Sequence, residues 1–400
     1  MKVIHLCNSD SRGGAARAAR RLSDELIDHG IDSSMFVIHK HEQSSGALSP
    51  DSFIRKVWRK GVTYVENLLL RGVTDQSFSP WSISCLPTFN VRYLNKQKAD
   101  VIHIHWLNKG LLSIPELKSL NAPIVWTLHD QWPFEDGRHY RMENANDKAN
   151  IYTRYFAQKK IKAFQQLENR IWWVCLNKWM EEGLAKSELC PPASHIRVIN
   201  NPISDEIFHV KQSLEMREKF NIPQDSFILL YGAINSQEDR RKGGDLLADV
   251  ILKYIELTKG KSHLTLLQYG TEDEVVENYD SYMKISLGRI HSDEMLAKIY
   301  NVADAFICPS RLDNQPNTIN EAMHCGLRVL SFDVGGISEM IIDENQVVVS
   351  PFDTEAMAQQ LVDFSQLSIE SRLASAKKVS ERSRKAVFEM VKLYKQINSL

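Results

Sequence analysis

The sequence predicts an α/β protein made of two doubly wound domains. Short apolar runs of strand length recur along the 400 residues, and amphipathic segments of helical length separate them. Uninterrupted apolar strands that alternate with helices are typical of parallel sheets covered on both faces. The length also favours two domains, since one domain usually holds roughly 100–200 residues.

The first half opens with a strand–helix–strand unit. The apolar run at residues 3–7 is the first predicted strand, and a polar turn containing Gly13 and Gly14 follows it. Ala15, Ala19, Leu22 and Leu26 then recur at helical spacing. Further strands are predicted at residues 34–38, 101–105, 124–128 and 171–175.

The second half restarts after a connection around Asn201. Its predicted strands cover residues 227–232, 264–270, 305–308 and 329–332, and helices are expected at 245–254 and 293–301. A final helix is predicted at 380–400 because Val387, Val391, Tyr394 and Ile397 share one face. We therefore expect domains at 1–203 and 204–380, with 381–400 returning to the first domain.

Charge and composition exclude several classes of protein. The chain carries 49 Lys and Arg against 50 Asp and Glu, which argues against a nucleic-acid binder dominated by phosphate contacts. The charge is uneven, since residues 1–200 hold 27 basic and 20 acidic residues and the second half holds 22 and 30. No apolar run reaches the ~18 residues of a membrane span. The amino terminus is too short in apolar length for a signal peptide, and the six cysteines lack paired spacing. A cytoplasmic protein with reduced thiols is expected.

Two loops carry features that suit phosphate. The Gly13-Gly14 turn lies between a strand and a helix amino terminus, where backbone can approach an anion; a plain tight turn is the alternative. Arg240, Arg241 and Lys242 precede the helix at 245–254, where three cations suit a diphosphate. The alternative there is a solvated charge run.

Histidines cluster near the strand ends of the first half. His103 and His105 are alternate residues of one strand and so share a face. His129 ends the next strand, at the edge where open α/β sheets bind ligands. A zinc site is conceivable, but the further ligand that a metal cluster needs is not evident. We expect no bound metal.

The segment at 308–326 is the richest in polar chemistry. A strand ends at Cys308, a polar loop follows, and Glu321 lies eight residues after Asp313 in the early turns of a helix. Backbone N–H groups near Asn317 and Thr318 would face an anion or sugar hydroxyls. Carboxylates accept hydrogen bonds from vicinal hydroxyls. A Gly-Gly turn recurs after the next strand, at residues 335–336.

These features resemble the donor-site signature of glycosyltransferase family 4. The signature is an acidic residue, seven residues, Glu-Ala-x-x-x-Gly, a strand and a Gly-Gly turn, which residues 309–340 match. Further landmarks of the family occur in order along nearly the whole chain, namely Gly13-Gly14, His129, Asn201, Lys242 and Arg289. The loop at 129–134 is similar to the branch acting in bacterial surface-polysaccharide synthesis.

The resemblance implies the GT-B architecture, with two Rossmann-like domains facing a cleft. It implies transfer of a hexose from a nucleoside-diphosphate sugar to a hydroxyl of a glycan or lipid-linked acceptor, with retention at the anomeric carbon. No cofactor beyond the nucleotide sugar is implied. Two alternatives remain open: a nucleotide-sugar epimerase of the same architecture, or a non-catalytic sugar-binding protein.

Roles for individual residues follow from the resemblance. Glu321 would bind the ribose, Lys242 and Arg241 the diphosphate, and Arg289 would border the base. Asp313, where Glu is usual in the family, would lie near the donor sugar. The remaining implied contacts are Gly13, Gly14, Asn317 and Thr318 on the donor side, His129 at the reacting centre, and His105 and Trp132 on the acceptor side. The family often has Arg after the glycine of the first strand of the second domain; here Ala233 stands there, and Arg240 or Arg241 would replace it.

Residues 53–72 predict a basic amphipathic helix. Its apolar residues share one face, and Arg55, Lys56, Arg59 and Lys60 outnumber the acidic Glu66. Such a helix can lie on an anionic membrane surface. The alternative is a helix packed into the core of the first domain.

Overall fold

The computed structural model describes residues 1–41, 46–49, 52–73, 79–142, 149–211, 215–232, 239–260, 263–366 and 372–399. The chain divides into two compact units. The amino-terminal unit comprises Met1–Pro202 together with Arg384–Leu400, and the carboxy-terminal unit comprises Ile203–Ser383.

The amino-terminal unit is built on a parallel sheet of six strands among the described residues, in the order β2-β1-β3-β4-β5-β6. The strands are β1 Lys2–Leu6, β2 Asp32–Phe36, β3 Val101–Ile104, β4 Ile124–Leu128, β5 Ile171–Cys175 and β6 Ile196–Val198. The helices are α1 Gly14–Asp28, α2 Phe53–Leu69, α3 Val91–Lys96, α4 Ile151–Gln165 and α5 Lys178–Lys186. The strand order reverses between β1 and β3, so the switch point of this sheet lies there.

The carboxy-terminal unit is built on seven described strands in the order β13-β12-β11-β7-β8-β10-β9. They are β7 Phe227–Gly232, β8 Leu264–Tyr269, β9 Glu274–Asn278, β10 Tyr282–Leu287, β11 Ala305–Cys308, β12 Arg328–Phe332 and β13 Gln346–Val349. Only β9 of these runs antiparallel to its neighbour. The helices are α6 Glu215–Lys219, α7 Gly244–Leu257, α8 Asp293–Val302, α9 Asn317–His324 and α10 Thr354–Gln366. The order reverses between β7 and β11.

The last helix, α11, spans Arg372–Asn398 and thus begins before the predicted residue 380. Its later turns belong to the amino-terminal unit. There Met390, Leu393 and Tyr394 pack with Val3 and Val101 of the sheet. The apolar stripe predicted from the sequence is therefore the face of α11 that packs into this core.

The predicted fold class, two doubly wound α/β domains, is confirmed. The prediction missed β6, β9, β10 and β13. These strands are short, polar or at sheet edges: β9 is largely exposed, and β10 contains a lysine and a serine. The apolar-run criterion detects strands buried on both faces and therefore misses such strands. None of the described helices has the length and apolarity that crossing a bilayer requires.

Candidate functional site

Two of the predicted donor-side residues, Lys242 and Asp313, lie at the switch point of the carboxy-terminal sheet. Lys242 belongs to a 3-10 helix that follows β7, and Asp313 lies in the loop that follows β11. Since β7 and β11 are neighbours in the sheet, their carboxyl ends bring the two loops together. The Lys242 Nζ donates to the Asp313 Oδ2 at 2.6 Å. Open α/β sheets bind ligands at such a point.

Arg241 completes this cluster. Its Nη1 lies 3.1 Å from the Asp313 Oδ2 and donates to the Leu312 carbonyl at 2.9 Å. Its Nη2 donates to the Asp239 Oδ2 at 3.1 Å. Burial by itself would raise the pKa of Asp313, but the charges of Lys242 and Arg241 outweigh burial and lower that pKa to about 2. Arg241 is therefore the arginine that contacts Asp313. Ala233, which stands where the family often has an arginine, lies outside the described residues.

Two glycines allow these loops to approach closely. Gly243 has a φ of 69°, and a Cβ there would lie 1.9 Å from the Pro309 carbonyl oxygen. Gly335 has a φ of 59°, and a Cβ there would lie 2.0 Å from the Asp313 carbonyl oxygen. The Gly336 N–H also donates to that oxygen at 3.0 Å. The second Gly-Gly turn thus holds the backbone of Asp313 in place.

Helix α9 starts directly after this loop. Asn317 and Thr318 are half-buried in its first turn, where backbone N–H groups lack intrahelical partners. Glu321 is buried one turn further on, and its Oε2 accepts a hydrogen bond of 2.7 Å from the Tyr300 hydroxyl. The Tyr300 hydroxyl also contacts the Tyr269 hydroxyl. The sequence analysis missed Tyr300 because only the tertiary structure places α8 against α9.

Arg289 lies apart from the Asp313 cluster. It follows β10, from which β7 is separated by β8 in the sheet. Its guanidinium is exposed and 4.0 Å from the Glu272 carboxylate. The predicted contact of Arg289 with the base would therefore lie two strands away from the Asp313 cluster, along the same edge of the sheet.

On the amino-terminal unit, the Gly13-Gly14 turn follows β1. Gly13 caps α1 with a φ of 97°, and a Cβ there would meet nothing within 4 Å. The requirement for glycine at this position is therefore conformational rather than one of space. Gly14 is the first residue of α1.

His105, His129 and Trp132 line one small pocket of the amino-terminal unit, together with Asp130. Asp130 orders the loop, since its Oδ1 accepts from the Trp132 N–H at 3.0 Å and its Oδ2 lies 2.6 Å from His139 Nδ1. Burial lowers the pKa of His129 to about 4, and the charge of Asp130 offsets only part of that shift. His129 is therefore neutral at pH 7. The three residues predicted at the reacting centre and the acceptor side thus line the same pocket.

Lys160 is a buried residue of this region that the sequence analysis missed. Its Nζ donates to the carbonyl oxygens of Trp132 and Glu135, the latter at 2.8 Å. It also lies 4.1 Å from the ring centroid of Trp132. Burial lowers the pKa of Lys160 to about 7. Nothing in the local sequence distinguishes this lysine from its exposed neighbours on α4.

Three histidines have ligand atoms near enough for a shared metal ion. The nearest ligand atoms of His5, His103 and His105 lie within 4.8 Å of one another, and all three rings are buried. However, both ring nitrogens of His103 already bond, Nδ1 to the Tyr394 hydroxyl and Nε2 to the Thr127 hydroxyl. The trio also contains no carboxylate to offset a buried dication. These contacts favour rings that hydrogen-bond to neighbouring side chains over rings that bind a metal ion.

Helix α2 exposes most of its apolar face. Among its described side chains only Val62 and Glu66 are buried, so the alternative of a core-packed helix is wrong. Phe53 and Ile54 are about four-fifths exposed, at 81% and 79%. Glu66, its only acidic residue, points inward, where its carboxylate accepts from the Cys85 N–H at 3.0 Å. The surface of the helix therefore carries cations and apolar side chains.

Two family models match this chain, one in each half of the sequence. A family model described as Glycosyltransferase Family 4 matches residues 12–207, and one described as Glycosyl transferases group 1 matches residues 226–366. The chain belongs to the family 4 glycosyltransferases. It is a nucleotide-sugar glycosyltransferase, and this assignment displaces the epimerase and non-catalytic alternatives.

Solved glycosyltransferase structures share the fold over the full length. Sucrose-phosphate synthase from Thermosynechococcus elongatus aligns with a TM-score of 0.69 at 19% identity and covers 100% of both chains. Anabaena HepE, in complex with UDP and glucose, has a TM-score of 0.64 at 13% identity and covers 98% of this chain and 99% of its own. WaaG, a glycosyltransferase involved in lipopolysaccharide biosynthesis, has a TM-score of 0.59 at 15% identity and covers 96% and 95%. No curated protein sequence gives a significant match. The glycosyltransferase thus has the GT-B fold that its signature implies.

Proposed function

We propose that this glycosyltransferase moves a hexose from a nucleoside-diphosphate sugar to a hydroxyl of a glycan or lipid-linked saccharide, with retention of the anomeric configuration, in polysaccharide biosynthesis. The cluster of Lys242, Arg241 and Asp313 carries the proposal. It offers two cations at the switch point of a doubly wound sheet, beside the amino terminus of α9.

The cations would stabilise the departing diphosphate. Negative charge accumulates on the leaving group as the sugar becomes oxocarbenium-like, and fixed cations and helix N–H groups stabilise that charge. In the structure Lys242 is only partly buried. It can therefore contact an incoming phosphate while Asp313 keeps its second ion pair, to Arg241.

The carboxylates and the start of α9 would bind the rest of the donor. Glu321 would accept the ribose hydroxyls, and the N–H groups of Asn317 and Thr318 would meet the sugar or diphosphate. Asp313 is one methylene shorter than the glutamate usual in the family, and its orientation is set by the two cations. Its side chain would therefore contact the sugar from a fixed position.

Retention is proposed to follow same-face attack. A double displacement would need a carboxylate nucleophile, and Asp313 is a weak one because two cations neutralise it and its pKa is about 2. His129 is likewise a weak base, since its pKa is about 4. By resemblance to family 4, the leaving phosphate is proposed to take the proton of the acceptor hydroxyl.

The acceptor is proposed to enter by the pocket of His105, His129 and Trp132. This pocket is lined by indole rings and by the half-buried His129, which suit the faces and hydroxyls of a sugar, while the buried His105 contacts His129 from below at 2.9 Å. One structural relative acts in lipopolysaccharide biosynthesis, and that supports a saccharide acceptor in polysaccharide assembly.

The exposed apolar and basic side chains of α2 support a lipid-linked acceptor, because such a surface can bind a membrane. Trp58 is held in its exposed position by a 2.7 Å hydrogen bond from its Nε1 to the Pro87 carbonyl, and its ring lies tilted against the exposed Phe89, with the centroids 5.4 Å apart. The apolar surface continues on α4, where Ile151 and Tyr152 are exposed. The Asn150 side chain joins the two helices by donating to the Leu69 carbonyl at 2.9 Å. We propose that this surface binds an anionic membrane, since each cation near such a surface contributes about 1 kcal/mol.

A donor screen followed by a product assay tests the proposed function. Uridine, guanosine and adenosine diphosphate sugars are compared for thermal stabilisation, because a ligand at 100 times its Kd adds about 2.7 kcal/mol to stability. The stabilising donor is then incubated with saccharide and lipid-extract acceptors, and the anomer of the product is read by NMR. An inverted anomer would contradict retention, and the absence of any stabilising donor would contradict the donor site.

A further inference from the structure

Three loops of the amino-terminal unit carry exposed basic residues to one edge of its sheet. β2, β1 and β3 are neighbours and parallel, so the segments that follow them leave from the same edge. Hydrogen bonds join these segments: the His39 N–H donates to the Asn8 carbonyl at 2.9 Å, and the Asn8 amide donates to the Asn108 carbonyl at 3.3 Å. The exposed basic side chains of the three loops include Arg12, His39, His41 and Lys109.

Arg59 of α2 joins these side chains. It lies on the backbone of Gly110, since a Cβ there would be 2.7 Å from the Arg59 Cγ. Partial burial lowers the pKa of His39, and further lowering comes from the charges of Arg59, His41, Lys109 and Arg12. These five basic residues, the basic cluster, are therefore close enough to repel one another, and a bound anion would relieve that repulsion.

Little negative charge opposes the basic cluster. Asp10 is the only acidic residue of the three loops within the described residues 7–13, 37–41 and 105–110. Its carboxylate is buried and accepts from the His41 backbone N–H at 3.0 Å. Neither Arg12 nor Lys109 forms an ion pair with a residue that the structure describes. Guanidinium and ammonium groups are the usual partners of phosphate oxygens, so the cluster suits a phosphate ester.

The basic cluster lies between the proposed acceptor pocket and the proposed membrane surface. Trp106 lines that pocket, and the Lys109 Nζ lies 5.6 Å from its ring centroid. On the other side, Arg59 belongs to α2 and follows the exposed Trp58. A phosphate in the cluster would therefore lie between a saccharide in the pocket and a lipid chain at α2.

We propose that the basic cluster binds the phosphate ester that joins the acceptor saccharide to its lipid. This names phosphate-linked saccharides as the acceptor class, and it rests on the proposed function. Arg12, Lys109 and Arg59 pair with the phosphate oxygens. The diphosphate of the donor has separate cations, Lys242 and Arg241, in the carboxy-terminal unit.

His39 reports whether the site is filled. The cations around it, including His41, disfavour its protonated form, and the buried Asp10 is the nearby acid. A bound anion favours the protonated form, so the pKa of His39 rises and the ring takes up a proton. Affinity for phosphate should therefore increase as the pH falls from about 8 to about 6.

Octyl phosphate, a soluble phosphate ester, tests binding to the full chain labelled at histidine. The NMR signals of the His39 ring are assigned by their loss in His39→Asn. Octyl phosphate should raise the pKa of His39, whereas octyl glucoside, which has no phosphate, should not. Arg12→Gln combined with Lys109→Met should weaken binding roughly tenfold, and Lys186→Met on α5 should not. An unchanged pKa of His39, or full affinity in the double variant, would overturn the proposal.

Two other sources of phosphate are separated in the same assay. Lys242→Ala should leave the binding of octyl phosphate unchanged, and a loss would assign that binding to the donor site. Vesicles of phosphatidylserine should raise the pKa of His39 less than octyl phosphate does. An equal rise would assign the cluster to bulk lipid head groups and overturn the proposal.

Two acceptor analogues extend the test to transfer. They share one saccharide and one alkyl chain, joined by a phosphodiester or by an uncharged ether. The phosphodiester should have a roughly tenfold lower KM with a similar kcat, and Arg12→Gln with Lys109→Met should abolish the difference. Equal KM values in wild type would overturn this proposal and leave the proposed function standing. Binding of octyl phosphate without transfer to any acceptor would overturn the proposed function alone.

Discussion

The Lys242 Nζ lies 2.6 Å from the Asp313 Oδ2, although the two residues are 71 positions apart in the chain. Each residue follows a different strand, β7 or β11, and the adjacency of those strands creates the contact. The pair combines a cation that can meet phosphate with a carboxylate that keeps the cation in place.

Lys242→Ala should reduce kcat/KM for the nucleotide sugar roughly 10²- to 10³-fold, because it removes a fixed cation from the leaving group. Asp313 keeps its contact with Arg241, so the thermal midpoint should change little. Lys284→Ala is the matched control, since Lys284 pairs with Glu277 on β9 at 2.7 Å. Equal activity in the two variants would remove Lys242 from the donor site.

Asp313→Asn should destabilise the protein by roughly 1–3 kcal/mol at pH 7, because two cations lose their buried counter-ion. The folded pKa of about 2 lies below the ordinary value of 3.8, so the stabilisation is complete above pH 3.8. It is lost as the pH falls from there through 2. Urea unfolding of both proteins should show the same difference at pH 7 and pH 5. A difference that vanishes by pH 5 would show that the ion pair does not hold Asp313 ionised.

Tyr300→Phe should weaken nucleotide-sugar binding several-fold while kcat changes less, because the Tyr300 hydroxyl orients the Glu321 carboxylate. A stability loss of about 1 kcal/mol is expected from the lost hydrogen bond. Titration calorimetry with the stabilising nucleotide sugar measures the affinity. Unchanged affinity in Tyr300→Phe would mean that Glu321 is oriented by other contacts.

Lys160 should make the stability of the amino-terminal unit depend on pH. Its folded pKa of about 7 lies below the unfolded value of 10.5, so the unfolded chain binds more protons between these values. Wild-type stability relative to Lys160→Met should therefore rise with pH by about 1.4 kcal/mol per unit between pH 7 and 9. Urea unfolding at both pH values measures this difference. A constant difference would indicate that Lys160 remains charged when buried.

Membrane binding through α2 should depend on its cations. Lys60→Glu combined with Lys56→Glu should weaken co-sedimentation with vesicles rich in phosphatidylserine, and 1 M salt should weaken it in wild type. Lys186→Glu is the control, because Lys186 is exposed on α5 of the same unit. If neither the double substitution nor salt changes binding, α2 is not the anionic-membrane surface.

Much of the donor side could be predicted from the sequence because its pattern is local. Asp313, Glu321 and the Gly-Gly turn lie within one continuous strand–loop–helix–strand segment, so their spacing can be read from the sequence. The structure adds the reason for Gly335, where a Cβ would lie 2.0 Å from the Asp313 carbonyl oxygen. The pairing of Asp313 with Lys242 and Arg241 could not be predicted, since it depends on which strands are neighbours. Tyr300 was missed for the same reason, because α8 meets α9 only in the folded unit.

The sequence by itself determined the two doubly wound sheets, the amphipathic helix α2 and the order of the donor motifs, because periodicity and turn chemistry are properties of short segments. Only the tertiary structure decided which face of α2 is exposed, which cation meets Asp313, and that Arg59 packs on Gly110. Those outcomes depend on strand order and register, which bring distant residues within hydrogen-bonding distance and which no local pattern encodes.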